Sequence, residues 1–258
     1  MSLRKRTVST TIGLVLTVLL LLGIWEAAVF LFSIRPQILP APSVIFHSAV
    51  EDWAALSRAV HATSFEVFWG LLAGCLLGVL AGLLIFASRI LQSSLYPLLL
   101  AAQTVPIIAI APLIMIWMGF GYSGKILLVA VYASFPVVAA TVRGMKAVDR
   151  SQVQVARSLG ASWPWVYGHV FLPGAARQIF TGVKISATYA FGTAAMSEYV
   201  GAANGLGVYL NAAKVNFRTD LVFVAGFALA LCTLVLFALL SVLERVLIRW
   251  PEGGVHDD

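Results

Sequence analysis

Long runs of apolar side chains constrain this chain more than any other feature of its sequence. Six such runs lie near residues 10–33, 63–87, 97–118, 125–142, 179–200 and 220–247. Each is close to the length of about 20 residues that a helix needs to cross the hydrocarbon layer of a bilayer. Charged residues make up 11% of the chain, whereas they make up about a quarter of a soluble domain. We therefore predict an all-α integral membrane protein with about six transmembrane helices.

Residues 1–258 are expected to form a single transmembrane domain. A chain of 258 residues suffices for about six spans with short loops, and it leaves no room for an additional soluble catalytic domain. The first run could be a cleaved signal peptide, but it is longer than the apolar region of such peptides, which is about 7–15 residues. We therefore expect it to remain as the first span.

The 17 Lys and Arg residues indicate the orientation of the chain. An even number of spans places both termini on the same side, and that side then carries most of the basic residues. The other side carries Arg35, Arg58, Lys125, Lys214 and Arg218. Because cytoplasmic loops are rich in Lys and Arg, we predict that both termini are cytoplasmic. The basic residues are spread over loop ends, so the net charge of +6 does not indicate nucleic-acid binding.

The stretch 143–178 is too polar to be a span. Its charged residues are Arg143, Lys146, Asp149, Arg150, Arg157 and Arg177. Burying them at the bilayer centre would cost roughly 15 kcal/mol or more. We expect a cytoplasmic segment that is too long and too patterned to be a simple connector.

Local signals in that segment predict two short helices. Ser151 and Gln154 match a capping box, and Gly160 fits a left-handed position at the end of the first helix. Ser162 can cap a second helix, which Pro173 is expected to end. The aromatic and aliphatic side chains of the second helix are too apolar to remain bare, so we expect them to meet the bilayer surface or another protein.

Four glycines recur at every fourth position of the second apolar run: Gly70, Gly74, Gly78 and Gly82. This spacing puts them on one helix face, where the absence of side chains lets another helix approach closely. The spacing does not distinguish a neighbour in the same chain from one in a second subunit.

The third run contains Pro97, Pro106 and Pro112, each of which removes a backbone donor and bends the helix. Gln103 lies next to that bend and either lines a pathway or makes an interhelical hydrogen bond. Glu66 and Glu198 lie in or near spans, where carboxylates are functional candidates. An ordinary position at the membrane interface explains them equally well.

Residues 35–58 are expected to be external. They begin with a Pro-rich turn and continue from Ser43 as a helix with an apolar face. The residues of that face are Ile45, Phe46, Ala49, Val50, Trp53 and Leu56. The helix either lies on the membrane surface or packs on neighbouring spans.

The sequence offers little to a catalytic site. Residues 119–126 nearly match a P-loop, but Ile126 stands where Ser or Thr should ligate Mg²⁺. No metal-ligand spacing and no nucleophile motif occurs. Cys75 and Cys232 lie within apolar runs, so we expect no disulfide. We predict no enzymatic activity, no metal and no cofactor in this chain.

The segment 154–173 resembles the EAA loop of binding-protein-dependent ABC importer permeases. That pattern has Glu-Ala-Ala, three residues, Gly, nine residues and then Ile-x-Leu-Pro. The matching positions hold Gln154, Val155 and Ala156, then Gly160, then Val170, Leu172 and Pro173. The spacing is complete, although Gln replaces Glu and Val replaces the first Ala. The stretches "TVPIIAIAPLIMIWMGFG" and "GLGVYLNAAKVNFRTDLVFVA" are similar to the nitrate, sulfonate and taurine branch, and "SEYVGAANGLG" is closer to permeases for thiamine precursors or other heteroaromatic compounds.

The resemblance implies a permease subunit that imports a small organic solute. It implies a homodimer of this chain with two ATPase subunits, which hold ATP and Mg²⁺, and an external solute-binding protein in a bacterial inner membrane. The coupling residues would be Gln154, Ala156, Arg157, Gly160, Ala161, Ser162, Trp163 and Pro173. The pathway candidates are Gln103, Tyr132, Tyr189 and Glu198. The alternatives are a stand-alone carrier or channel, which would not need the hinged helix pair, and a membrane enzyme, for which a catalytic constellation is missing.

Overall fold

The computed structural model describes residues 2–248, with side chains from residue 16 onwards. The regular elements of this part of the chain are all helices, and it contains no strand. The helices are α1 (Ser2–Leu31), α2 (Pro42–Glu51), α3 (Trp53–Ala87), α4 (Arg89–Ser93), α5 (Leu95–Ala102), α6 (Ile107–Met118), α7 (Tyr122–Lys146), α8 (Arg150–Ser158), α9 (Trp163–Val166), a π-helical turn (Tyr167–Phe171), α10 (Leu172–Tyr199), α11 (Leu206–Val215) and α12 (Thr219–Leu247).

The centre of the fold is α7, which packs between α3 and α10. Val129 of α7 is fully buried and shares a cluster with Val67 of α3 and Ala194 of α10. Further along, Ala133 meets Leu71 and Ala187 of the same two helices. Helix α12 covers these clusters from one side. The three central helices therefore form the scaffold on which the remaining elements are placed.

Three described helices are long and apolar enough to cross a bilayer: α3, α7 and α12. The pair α5 and α6 reaches that standard when it is counted as one bent span. In α1, the apolar stretch covers Leu16–Leu31. The predicted run 179–200 falls within α10. The described residues thus contain three spans by length and composition, or four with the bent pair, and six remains a prediction.

The third predicted span is not a single helix. Its halves are inclined by 96° at a break between Ala102 and Ile107. Pro106 cannot donate a backbone hydrogen bond, and it disfavours helical backbone at Val105 before it. Pro112 is accommodated inside α6. The prolines were expected to bend this span, and Pro106 lies in the break, immediately before α6 begins.

The segment 35–58, which was predicted to be external, contributes to two helices instead of one. Helix α2 ends at Glu51 and α3 begins at Trp53, so the predicted apolar face is divided. Ile45 and Leu56 are buried against Leu206 and Val224. Three other residues of that face are exposed: Phe46, Val50 and Trp53. The segment therefore packs on its neighbours through part of the face and leaves the rest uncovered.

Candidate functional site

The first helix of the predicted coupling segment, residues 143–178, is capped by a different residue from the one predicted. Helix α8 begins at Arg150, and the Asp149 carboxylate accepts hydrogen bonds from the Ser151 backbone N–H at 2.8 Å and the Ser151 hydroxyl at 2.7 Å. The capping box centred on Ser151 is therefore wrong. An ionised carboxylate is the stronger acceptor and favours a helix N-terminus. The Ser151 side chain and backbone together hold the pKa of Asp149 below its usual value.

Gly160 makes the turn that separates the two coupling helices. It follows α8 with φ of +85°, a conformation that costs glycine little and other residues more. The Ala161 N–H donates to the Ala156 carbonyl across this turn at 3.1 Å. Arg157 donates to the Ala161 carbonyl at 2.5 Å and lies over the Trp163 ring. These contacts bring five of the predicted coupling residues into one compact turn.

The second coupling helix continues directly into α10. Helix α9 begins at Trp163, and the π-helical turn and α10 follow without a break. The prediction that Pro173 ends this helix is wrong, and the Ser162 side chain makes no cap hydrogen bond. A π turn widens the helix locally, so the missing N–H and the ring of Pro173 are accommodated just after it. Pro173 thus marks the junction of the coupling segment with α10.

Aromatic contacts fix this junction to the scaffold. The ring centroid of Phe86, at the end of α3, lies 6.0 Å from the ring centroid of Tyr167 and 5.0 Å from that of Phe171. Val166 is fully buried. Met145 of α7 packs in the same cluster as Ala175 and Ile179 of α10, with Phe86, Tyr167 and Phe171 against it. The segment therefore rests on one end of all three central helices.

The predicted coupling segment also carries exposed apolar side chains. The exposed residues are Val155, Leu159, Trp163 and Trp165, and we call them the coupling patch. Gln154 is also exposed and lies beside Val155. Apolar side chains gathered at the surface of a folded segment mark a contact with another protein or a membrane.

The four glycines lie against α7 of the same chain. A Cβ atom on Gly74 would stand 2.6 Å from the Ala130 carbonyl oxygen and 2.8 Å from the Ala133 Cβ. The other three glycines would meet Val129, Val137 and Thr141 equally closely. The glycine stripe therefore brings α3 and α7 into close contact at four successive turns. Of the two neighbours that the spacing left open, the structure shows a helix of the same chain.

The predicted pathway residues occupy different places. Tyr132 donates a 2.8 Å hydrogen bond to the carbonyl of Val105, at the break between α5 and α6. Gln103 ends α5 at the same break and is exposed. Tyr189 is 65% exposed on α10. Glu198 is buried and hydrogen-bonded, so it does not line an open surface of this chain.

Sequence reasoning named Glu66 and Glu198 as candidates but missed the buried polar group that they form with Lys125 and Thr63. Lys125 was assigned to an external turn, but it lies inside α7, is 3% exposed and forms an ion pair with Glu66. Thr63 joins them from α3. Ionisable residues in spans usually have partners. The presence of both Lys125 and Glu66 in or next to predicted spans was the signal in the sequence that could have indicated this ion pair. In the described part of the chain, no three His, Cys, Asp or Glu side chains could hold a metal ion.

Comparison with known proteins identifies the class. Residues 74–251 match the family described as binding-protein-dependent transport system inner membrane component, and the chain belongs to this family. It is 34% identical over 247 residues to the riboflavin transport system permease protein RibX of Chloroflexus aurantiacus, covering 94% of this chain and 91% of that protein.

Two further relatives are similar over nearly their whole length. The formylaminopyrimidine transport permease protein ThiX of Halalkalibacterium halodurans is 30% identical, with 91% of this chain and 94% of that protein covered. The taurine transport system permease protein TauC of Escherichia coli is 30% identical, with 95% and 91% covered. An inward-facing structure of the MetNI methionine ABC transporter has a TM-score of 0.61 over 76% of this chain and 96% of that one, at 20% identity.

The family and the fold define the chain as the permease subunit of an ABC importer. It is a multi-pass protein of the bacterial inner membrane and works with ATPase and solute-binding partners. ATP hydrolysis occurs on the separate ATPase subunit, so this chain is not an enzyme.

Proposed function

We propose that residues 143–178 are the coupling segment through which the ATPase drives transport. The coupling patch supports this, because Val155, Leu159, Trp163 and Trp165 present apolar surface on a segment whose continuation into α10 is packed on the scaffold. A docking ATPase would cover that surface. Gln154 can add a polar contact in place of the Glu that is usual at its position, and Gly160 sets the angle between the helices.

The proposed assembly is a homodimer of this chain with two ATPase subunits and one external solute-binding protein. The chain would cross the membrane six times with both termini cytoplasmic, as one domain over residues 1–258. Most of the basic residues would then be cytoplasmic. One of them, Arg249, lies outside the described residues. ATP and Mg²⁺ belong to the ATPase subunits, and we expect no cofactor in this chain.

We propose a planar nitrogen heteroaromatic compound as the imported solute. The basis is that the proteins named for riboflavin and formylaminopyrimidine are 34% and 30% identical to this chain. A sulfonate such as taurine is the competing candidate, since the taurine permease is also 30% identical. The pathway would pass the break between α5 and α6, where Gln103 and Tyr132 supply polar groups, and Tyr189 on α10.

Replacing Gly160 tests the coupling assignment. We expect Gly160→Asp to abolish ATP-driven uptake in proteoliposomes while the subunit stays in the membrane, because φ of +85° strains the new residue and its carboxylate enters the docking surface. Gly119→Asp is the matched control. Gly119 has φ of +81° and, like Gly160, has no atom within 4 Å of the position that an added Cβ would take, but it lies between α6 and α7. Normal uptake by Gly160→Asp would refute the assignment.

Co-purification tests the assembly against a stand-alone carrier. The tagged permease should bring an ATPase subunit with it, and Gly160→Asp should bring less. The solute is tested by binding to the partner solute-binding protein, with riboflavin, a formylaminopyrimidine and taurine as ligands. Uptake by the permease alone, without ATP, would favour the carrier.

A further inference from the structure

Four polar side chains meet in the interior, away from the coupling segment. They are Thr63 and Glu66 of α3, Lys125 of α7 and Glu198 of α10, and each is at most 3% exposed. Lys125 stands 21 residues before Lys146 at the other end of α7, a separation of roughly 30 Å along a helix. The group therefore lies about one bilayer thickness from the coupling segment, where the proposed function has no role for it.

This polar cluster holds the beginning of α11. The Thr63 hydroxyl donates to Glu198 Oε1 at 2.6 Å and accepts from the backbone N–H of Leu206 at 2.8 Å. Glu198 Oε2 accepts from the backbone N–H of Gly207 at 2.7 Å. A carboxylate at a helix N-terminus satisfies amides that have no partner within the helix and also interacts favourably with the helix dipole. Thr63 and Glu198 thus cap α11 from two other helices.

The charges of the cluster balance only if one proton is added. Lys125 pairs with Glu66, and Thr63, which lies one helical turn before Glu66 on the same face of α3, donates to Glu198, so the Glu66 and Glu198 carboxyl groups are neighbours in this buried cluster. Two ionised carboxylates have acceptors but no donor. They would also leave a net negative charge in a buried site, which is costly when one partner charge is missing. One carboxyl group must therefore carry a proton, and its O–H can then donate a hydrogen bond to the other carboxyl group.

The hydrogen bonds decide which carboxyl group carries the proton. Glu198 already accepts from Thr63 and from Gly207 through both of its oxygens. Glu66 Oε1 faces Lys125, and Glu66 Oε2 has no donor within reach in the described residues. A proton on Glu66 Oε2 turns that oxygen into a hydrogen-bond donor. Glu198 then stays ionised and can accept from both of its donors. If Glu198 carried the proton instead, its O–H would oppose one of the two donors from which Glu198 already accepts a hydrogen bond.

We propose that Glu66 is protonated and donates a hydrogen bond to an ionised Glu198, and that this pair positions α11 on the three central helices. Glu66, Glu198 and Lys125 are positioning residues in this role, since they hold a structural element. The proposal goes beyond the coupling assignment and does not depend on which solute is imported.

Infrared spectroscopy of the purified full-length permease in nanodiscs tests the proton directly. A protonated carboxyl group gives a C=O stretching band that ionised carboxylates lack and that shifts in D₂O. We expect such a band in the wild type at neutral pH and its loss in Glu66→Gln. The band should persist in Glu244→Gln, the matched control, because Glu244 pairs with Lys184 at 2.7 Å.

Thermal unfolding of the same samples tests the positioning role. Glu66→Gln should leave the melting temperature nearly unchanged, since its amide can donate to Glu198 and its oxygen can accept from Lys125. Glu198→Gln should lower it by about 5 °C or more, because an amide nitrogen opposes one of the two donors. Glu66→Leu should behave like Glu198→Gln, since leucine cannot donate.

Two spectroscopic results and one unfolding result would overturn the proposal. One is a wild-type spectrum without a protonated carboxyl band. The other is a band that survives in Glu66→Gln and disappears in Glu198→Gln, which would put the proton on the other residue. Equal destabilisation by Glu66→Gln and Glu66→Leu would refute the positioning role. None of these measurements uses transport, so they fail or succeed independently of the coupling assignment.

Discussion

Replacing Gly74 by alanine is the most direct perturbation of the contact between α3 and α7. The new Cβ would stand 2.6 Å from the Ala130 carbonyl oxygen and 2.8 Å from the Ala133 Cβ. Carbon atoms usually stay about 3.3–3.6 Å from a carbonyl oxygen. The clashing oxygen is a backbone atom, so no side-chain rotation relieves the contact. Helix α7 must move away from α3 by roughly 0.7–1 Å.

The expected change in stability follows from two opposing terms. Overpacking of a well-filled contact costs about 1–3 kcal/mol. Alanine also favours a helix over glycine by about 1 kcal/mol. The net loss is therefore about 0–2 kcal/mol, and its midpoint of about 1 kcal/mol corresponds to a decrease of about 3 °C in the melting temperature of a domain of this size.

Gly226 of α12 supplies the matched control, because no atom lies within 4 Å of the position of its added Cβ. Gly226→Ala should gain the helix preference without the clash, and so unfold at the wild-type temperature or slightly above it. The assay is thermal unfolding in detergent with a thiol-reactive dye, which labels the half-buried Cys75 and Cys232 as the helices separate. A melting temperature of Gly74→Ala that equals or exceeds that of Gly226→Ala would refute the packing argument.

Two further substitutions test the ends of the scaffold. Tyr132→Phe removes the hydrogen bond to the Val105 carbonyl and should lower the free energy of unfolding by about 1 kcal/mol. We expect it also to reduce the maximal uptake rate in proteoliposomes. An unchanged rate would contradict a role of the break between α5 and α6 in the pathway. Phe86→Ala removes ring contacts to Tyr167 and Phe171 worth about 0.5–1.5 kcal/mol each beyond burial. It should weaken the stimulation of ATPase activity by the solute-loaded binding protein, and full stimulation would show that the junction does not need these rings.

The sequence predicts the helices better than it predicts their ends. The apolar runs coincide with α3, α7 and α12, because a bilayer demands apolar side chains whatever the neighbours are. The limits of α8 depend on local competition. Asp149 and Ser151 are both good capping residues, and the choice between them rests on where the chain leaves α7. Likewise, Pro173 ends a helix only if no π turn precedes it.

Partners across the fold were harder to predict from sequence. The glycine stripe predicts a close helix contact but leaves the neighbour open. The complementary stripe on α7 consists of Val129, Ala133, Val137 and Thr141, whose spacing is unremarkable within an apolar run. The pairing of Lys125 with Glu66 joins residues 59 positions apart. It requires the packing of α3 on α7, which no local pattern encodes.

The unbroken passage from α9 into α10 has a mechanical consequence. The coupling segment turns at Gly160, between α8 and α9. No turn separates α9 from α10. Helix α10 has 28 residues and is therefore about 42 Å long, so a tilt of about 5° at one end displaces the other by about 4 Å. The far end carries Glu198 and, through it, the first turn of α11. On the proposed coupling assignment, we expect this helix to act as a lever arm, so that a small rotation where the ATPase docks becomes a displacement of several ångströms at the far end of α10.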